Sequence, residues 1–281
     1  MIKFIAQFHP RRFLKVLSEL DETAARERDA RGMELRRPVI VLVTTAVCLL
    51  LINYLKYHSV FYSLLSELSD IFYGNEAFLV AEFNRFVFSE LTLYIWWGGW
   101  HLIGYVLIPV LVIKYILKEH IRDYGIGFKG LREHWVWYVY LAAPIVVFAY
   151  LASFREDFLN SYPFYNQAAR SFFDFMAWEL IYLVQFVCLE FFFRGFVLRG
   201  CYRSYGAGAI FIMCVPYLMI HFTKPWLEAT GAILFGMFLG VLALRSRSIW
   251  GGVAVHITIA LSMDLFALAR GAGFPANFWP G

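Results

Sequence analysis

The sequence predicts an all-α polytopic membrane protein, a bundle of about seven transmembrane helices. Two observations carry that expectation. The 281 residues are 60% hydrophobic and only 16% charged, and the apolar residues come in long unbroken blocks rather than in the alternating pattern of a soluble core. A helix needs about 20 mainly apolar residues to cross a hydrocarbon layer ~30 Å thick, because every backbone polar group must be satisfied within the segment.

The blocks run from Pro38 to Leu55, Leu93 to Leu117, Trp135 to Phe154, Phe175 to Leu198, Ala207 to Phe222, Ala229 to Leu244 and Trp250 to Leu268. Between the first two, the stretch from His58 to Phe88 is apolar but interrupted by Glu67, Asp70, Glu76, Glu82 and Arg85. It reads as interfacial or as a packed half-helix. Ahead of them, residues 1–37 hold nine Lys/Arg and six Asp/Glu with no early apolar run. They read as an amphipathic surface arm, a solvated positive flank rather than a cleaved signal peptide. The chain therefore divides into an arm (1–37), N-terminal spans and loops (38–170), a compact helical segment with short turns (171–270) and a tail (271–281).

Charge sets the expected orientation. With the arm on the cytoplasmic side, Lys118, Arg122, Lys129 and Arg132, Arg199 and Arg203, and Arg245 and Arg247 fall on that side too, and the acidic Glu67 to Glu90 region faces out. The net charge of +4 thus reports topology in a cytoplasmic (inner) membrane and implies no nucleic-acid partner. Cys48, Cys188, Cys201 and Cys214 lack C-x-x-C spacing, so neither a disulfide framework nor a thiolate zinc site is indicated. No internal repeat supports an inverted-repeat transporter.

An ionisable group within a membrane span is costly, so each one needs a partner or a function. Glu190 and Arg194, four apart, share a helix face, with the acid N-terminal as the better orientation for an intrahelical pair. Self-neutralisation is the structural reading of that pair. His221, four residues after Tyr217, and His256 each have a packing reading as well. Together, one carboxylate and two imidazoles on three spans joined by short turns are able to converge on a water molecule or a metal ion. At 1.5 Å per residue, Glu190 and His256 lie at similar depths of ~12 and ~9 Å, whereas His221 lies ~21 Å along its block.

The order Glu-x-x-x-Arg, aromatic-x-x-x-His and His on successive spans resembles the CAAX protease and bacteriocin-processing family of intramembrane endopeptidases. The resemblance covers about a third of the chain, from Phe172 to Leu268, and includes the Ser248-Ile249-Trp250-Gly251-Gly252 context. It implies hydrolysis of a peptide bond in a membrane-anchored protein or peptide, in contact with membrane lipid. Glu190 and His221 would activate water, His256 would polarise the scissile carbonyl, and Arg194 would orient Glu190, with Tyr217 in support. No cofactor is required by the metal-free version; Glu190, His221 and His256 would be the ligands in a zinc version. Leu189 stands where the family has a first Glu, and Ala260 where it has Asn or Asp. Asp264, one turn beyond Ala260, is the expected substitute. A scaffold or partner-binding protein derived from the same fold is the alternative reading.

Overall fold

A computed structural model of the chain describes residues 10–31, 35–128, 130–224 and 226–281. Parts of the N-terminal arm (1–9 and 32–34) and Lys129, counted above as a positive flank, lie outside the described residues. The described residues are all helix and connection, with no strand among them. The helices are α1 (Pro10–Arg31), α2 (Arg36–Leu55), α3 (His58–Tyr73), α4 (Phe78–Arg85), α5 (Ser89–Leu117), α6 (Leu131–Ala152), α7 (Phe172–Tyr205), α8 (Gly208–Met219), α9 (Trp226–Ser246) and α10 (Trp250–Arg270).

Six of them are long and apolar enough to cross a membrane: α2, α5, α6, α7, the Ala229–Ser246 part of α9, and α10. The seventh expected span is corrected to the 12-residue helix α8, which rises only ~18 Å against the ~30 Å of a hydrocarbon layer. Its shortness comes from its flanks. Gly206 takes φ 55° just before it, and the chain turns again at His221, whose N–H bonds the Leu218 carbonyl at 2.9 Å. The interrupted stretch after α2 becomes α3 and α4, of 16 and 8 residues, both too short to span.

The described residues fall into two compact units. The first comprises those of Met1–Val47, Pro109–His134 and Glu190–Gly252; the second comprises Cys48–Ile108, Trp135–Leu189 and Val253–Gly281.

In the first unit, α8 and α9 pack through a small-residue stripe, Gly236-Met237-Phe238-Leu239-Gly240. A Cβ at Gly240 would lie 3.1 Å from Ile210, and one at Gly236 would lie 3.0 Å from the Cys214 sulfur. Such a G-x-x-x-G spacing lets two membrane helices approach closely. Helix α1 of the arm is mostly exposed but touches the bundle along one edge. Its Leu20 and Ala24 are buried, the Tyr202 hydroxyl donates to the Leu20 carbonyl at 2.9 Å, and Glu19 pairs with Arg245 at 2.9 Å. Asp21 accepts the Ala207 N–H at 2.7 Å, satisfying a donor at the start of α8 that no helix carbonyl reaches. Gly206 permits this approach, since any Cβ there would overlap the Asp21 carboxylate. Glu19 and Asp21 thus dock beside Leu20 and Ala24, while Leu14 stays exposed.

A buried polar knot ties the start of α2 to the end of α7. Arg37 donates to the carbonyls of Arg199 (3.1 Å) and Gly200 (2.9 Å) and to Glu119 (2.9 Å), which also accepts from the Tyr124 hydroxyl at 2.5 Å. Burial alone would raise the proton affinity of Glu119, but the Tyr124 hydroxyl and the Arg37 guanidinium outweigh it and hold the carboxyl below its ordinary range. A carboxyl depressed on folding stabilises the fold above its unfolded value and loses that contribution as pH falls through the folded value. We expect thermal stability to decline below about pH 4.5 and Glu119→Gln to flatten that decline, as read from unfolding midpoints across a pH series. An unchanged acid limb in the variant would rule this out.

In the second unit, Ser171 caps the start of α7. The Asp174 N–H bonds the Ser171 hydroxyl at 3.1 Å, and that hydroxyl donates back to the Asp174 carboxylate at 2.6 Å. Arg170 and Tyr165 add contacts to Asp174 at 2.6 Å each. The tail continues the clamp: the N–H groups of Phe172 and Phe173 reach the carbonyls of Asn277 and Phe278 at 2.9 Å. All four cysteines are buried and free.

Candidate active site

Helix α7 runs for 34 residues without proline, but it is not uniform. Phe172–Glu190 is α-helical, Phe191–Val197 is π-helical and Leu198–Tyr205 is α-helical again. A π segment closes its hydrogen bonds five residues apart instead of four, and such segments recur at functional sites. Glu190 immediately precedes it and Arg194 lies at its centre; both side chains are fully buried, and Arg194 Nη1 lies 3.0 Å from Glu190 Oε1.

From Arg194 the contacts continue to α8. Its guanidinium stands over the Tyr217 ring at 4.2 Å from the centroid, a geometry in which the ring quadrupole attracts the cation. Gly236 leaves room for that ring, since a Cβ there would come 3.2 Å from Tyr217 Cδ1. The Tyr217 ring meets the His221 imidazole at 4.8 Å between centroids. His221 Nδ1 is 2.8 Å from the Tyr217 carbonyl, and a carbonyl only accepts, so Nδ1 carries the hydrogen and Nε2 is the basic nitrogen. The Tyr-x-x-x-His spacing at the end of α8 therefore gathers Glu190, Arg194, Tyr217 and His221 within the first unit.

His256 and Asp264 belong to the second unit, both on α10. His256 stacks on Phe186 at 5.2 Å with ring planes 7° apart. Phe186 contacts Tyr182 at 4.8 Å, and Tyr182 stacks on Trp178 at 4.9 Å. This Trp-x-x-x-Tyr-x-x-x-Phe ladder on α7 leads to Asp264, whose Oδ2 accepts the Trp178 indole N–H at 2.7 Å. Buried Glu179 lies beside Asp264. The ladder was missed in the sequence, though its i, i+4 aromatic spacing is the signal that reveals it. Ala260 is buried in the same aromatic cluster with Leu91, Tyr165, Trp178 and Tyr182, and Leu189 is buried as well.

Among the described residues no three His, Cys, Asp or Glu side chains are grouped so as to hold a metal ion. Glu190 and His221 lie in one unit and His256 in the other.

No curated protein and no solved structure matches the chain. Residues 171–262, which contain Glu190, Arg194, Tyr217, His221 and His256, match the family model described as Type II CAAX prenyl endopeptidase Rce1-like, consistent with the CAAX protease and bacteriocin-processing family.

Proposed function

We propose that this chain is an intramembrane endopeptidase that hydrolyses a peptide bond of a membrane-associated substrate. The observation that supports this best is the buried sequence of contacts from Glu190 through Arg194 and Tyr217 to His221, inside a segment that matches a peptidase family. Six helices apolar enough to span a membrane set the reaction in lipid.

Peptide hydrolysis without a nucleophilic side chain needs a base for water and a donor for the developing oxyanion. Glu190 and the basic Nε2 of His221 take the proton of water, whose oxygen adds to the carbonyl carbon. His256 supplies the donor to the oxyanion, a role given by the family's third motif. Collapse breaks the C–N bond, and the proton passes to the leaving amine nitrogen. Arg194 orients the Glu190 carboxylate, and Tyr217 spaces Arg194 from His221. The Arg199, Arg203, Arg245 and Arg247 flanks support a cytoplasmic N-terminus, and the cytoplasmic-side depth of Glu190 and His256 along their spans supports substrate entry from that side; protection of an N-terminal tag in sealed vesicles tests the orientation.

Cleavage of membrane-anchored reporter peptides by the purified chain is the test. Glu190→Ala, His221→Ala and His256→Ala are each expected to lower the rate by roughly 10²-fold or more, and chelation to leave it unchanged. Undiminished cleavage in all three variants would sink the assignment.

A second reading has its own support. Leu189 and Ala260, at positions where the family carries polar groups, are absorbed into apolar packing, as suits a scaffold that has lost the chemistry. Folded wild-type protein that cleaves no reporter in the panel would favour it.

A further inference from the structure

We propose that Gly252 is the positioning residue for Glu190: its missing side chain forms the slot in which the carboxylate rests. This rests on the assignment of Glu190 above for its meaning in catalysis, but the geometry stands apart from it.

Gly252 is the third residue of α10. A Cβ built on it would overlap Glu190 Oε2 and lie 2.6 Å from Cδ and 3.2 Å from Oε1. All three carboxyl atoms therefore lie against the bare α-carbon, and no other side chain fits without displacing them. The clash is with a fully buried group that is also paired to Arg194, so the carboxylate has little room to retreat. The location matters electrostatically too. The first N–H groups of a helix lack carbonyl partners within it, and the helix dipole places its positive end there. Of these, the Trp250 N–H turns to the Ser248 hydroxyl at 3.3 Å. Glu190 is thus paired with the Arg194 guanidinium and packed against the bare α-carbon of Gly252, in the first turn of α10 where the helix dipole is positive.

Glycine to alanine inside a helix ordinarily stabilises, because alanine is the better helix former. Here the sign reverses while the carboxylate is present. In thermal unfolding of the full chain in detergent, Gly252→Ala is expected to lower the midpoint by about 4 °C or more. In a Glu190→Ala background the same substitution is expected to leave the midpoint unchanged or raise it. Where Gly252→Ala alone cannot be recovered folded, recovery of Gly252→Ala/Glu190→Ala supports the slot equally. A neutral or stabilising Gly252→Ala in the wild-type background overturns it, as does an equal loss in both backgrounds or failure to recover either variant folded.

These outcomes need no substrate, so they stand if the hydrolase reading fails. Where a reporter is cleaved, Gly252→Ala is expected to reduce kcat by about 10²-fold with KM unchanged, the scale of a misplaced catalytic group. Shortening the acid with Glu190→Asp in that background is expected to recover about tenfold of it. A loss in KM alone, or no recovery with aspartate, contradicts positioning of Glu190 by this residue.

Discussion

Arg194→Met is expected to be the most damaging single substitution in the chain. Both members of the Glu190–Arg194 pair are fully buried, and removing one partner of such a pair strands the other charge, at a cost of about 3–5 kcal/mol. The guanidinium also gives up its place over the Tyr217 ring. In thermal unfolding this corresponds to a fall of roughly 6–20 °C for a chain of this size. The double variant Glu190→Gln/Arg194→Met removes both charges and is expected to regain most of that loss, because a neutral pair no longer has to be solvated by the protein. It should nevertheless remain inactive toward any reporter that the wild type cleaves. Wild-type stability in Arg194→Met would show that the pair does not hold this part of α7.

Trp178→Ala is expected to come second. The indole is fully buried, touches Tyr94 and Tyr182 at 4.8 and 4.9 Å, and donates to Asp264. Between membrane helices the loss is of packing contacts and a hydrogen bond rather than of water exclusion. Truncating so large an aromatic to alanine costs about 3–5 kcal/mol. Trp178→Phe separates the contributions, since it keeps a ring in the ladder and removes only the donor. Leaving the Asp264 oxygen without that donor costs about 1–3 kcal/mol. Unfolding midpoints in the order wild type, Phe, Ala check this, and a Phe variant as stable as wild type would deny the hydrogen bond a part in stability.

The spans were legible because lipid imposes a blunt rule. Long apolar blocks such as Trp250 to Leu268 have no alternative to helix, and α10 extends that block by only two residues. The limits of α8 were less legible, since Ala207 to Phe222 is continuously apolar and only the turns at Gly206 and His221 shorten it. The docking of α1 was hidden because its charges dominate its composition, while the contacts that matter use Leu20, Ala24, one aspartate and the backbone. In the candidate site, the Glu-x-x-x-Arg and Tyr-x-x-x-His spacings forecast contacts that exist, because i, i+4 neighbours meet on any helix face. What spacing alone could not disclose was the engagement of Asp264 with Trp178, or the role of a glycine next to a carboxylate, since both depend on which helices are neighbours.

The π-helical stretch Phe191–Val197 bears on how this chain should be lined up with others. Each π hydrogen bond encloses one residue more than its α counterpart, so the stretch accommodates an extra residue while the helix on either side keeps its facing. A homologous helix that is α throughout would then lie opposite this one with a single-residue gap somewhere along the π-helical run, yet present the same surfaces before and after it. Counting residues across that run misjudges direction by about 100°. Equivalence between sequences here is a matter of angular phase, and an alignment that forbids the gap pairs side chains that point different ways.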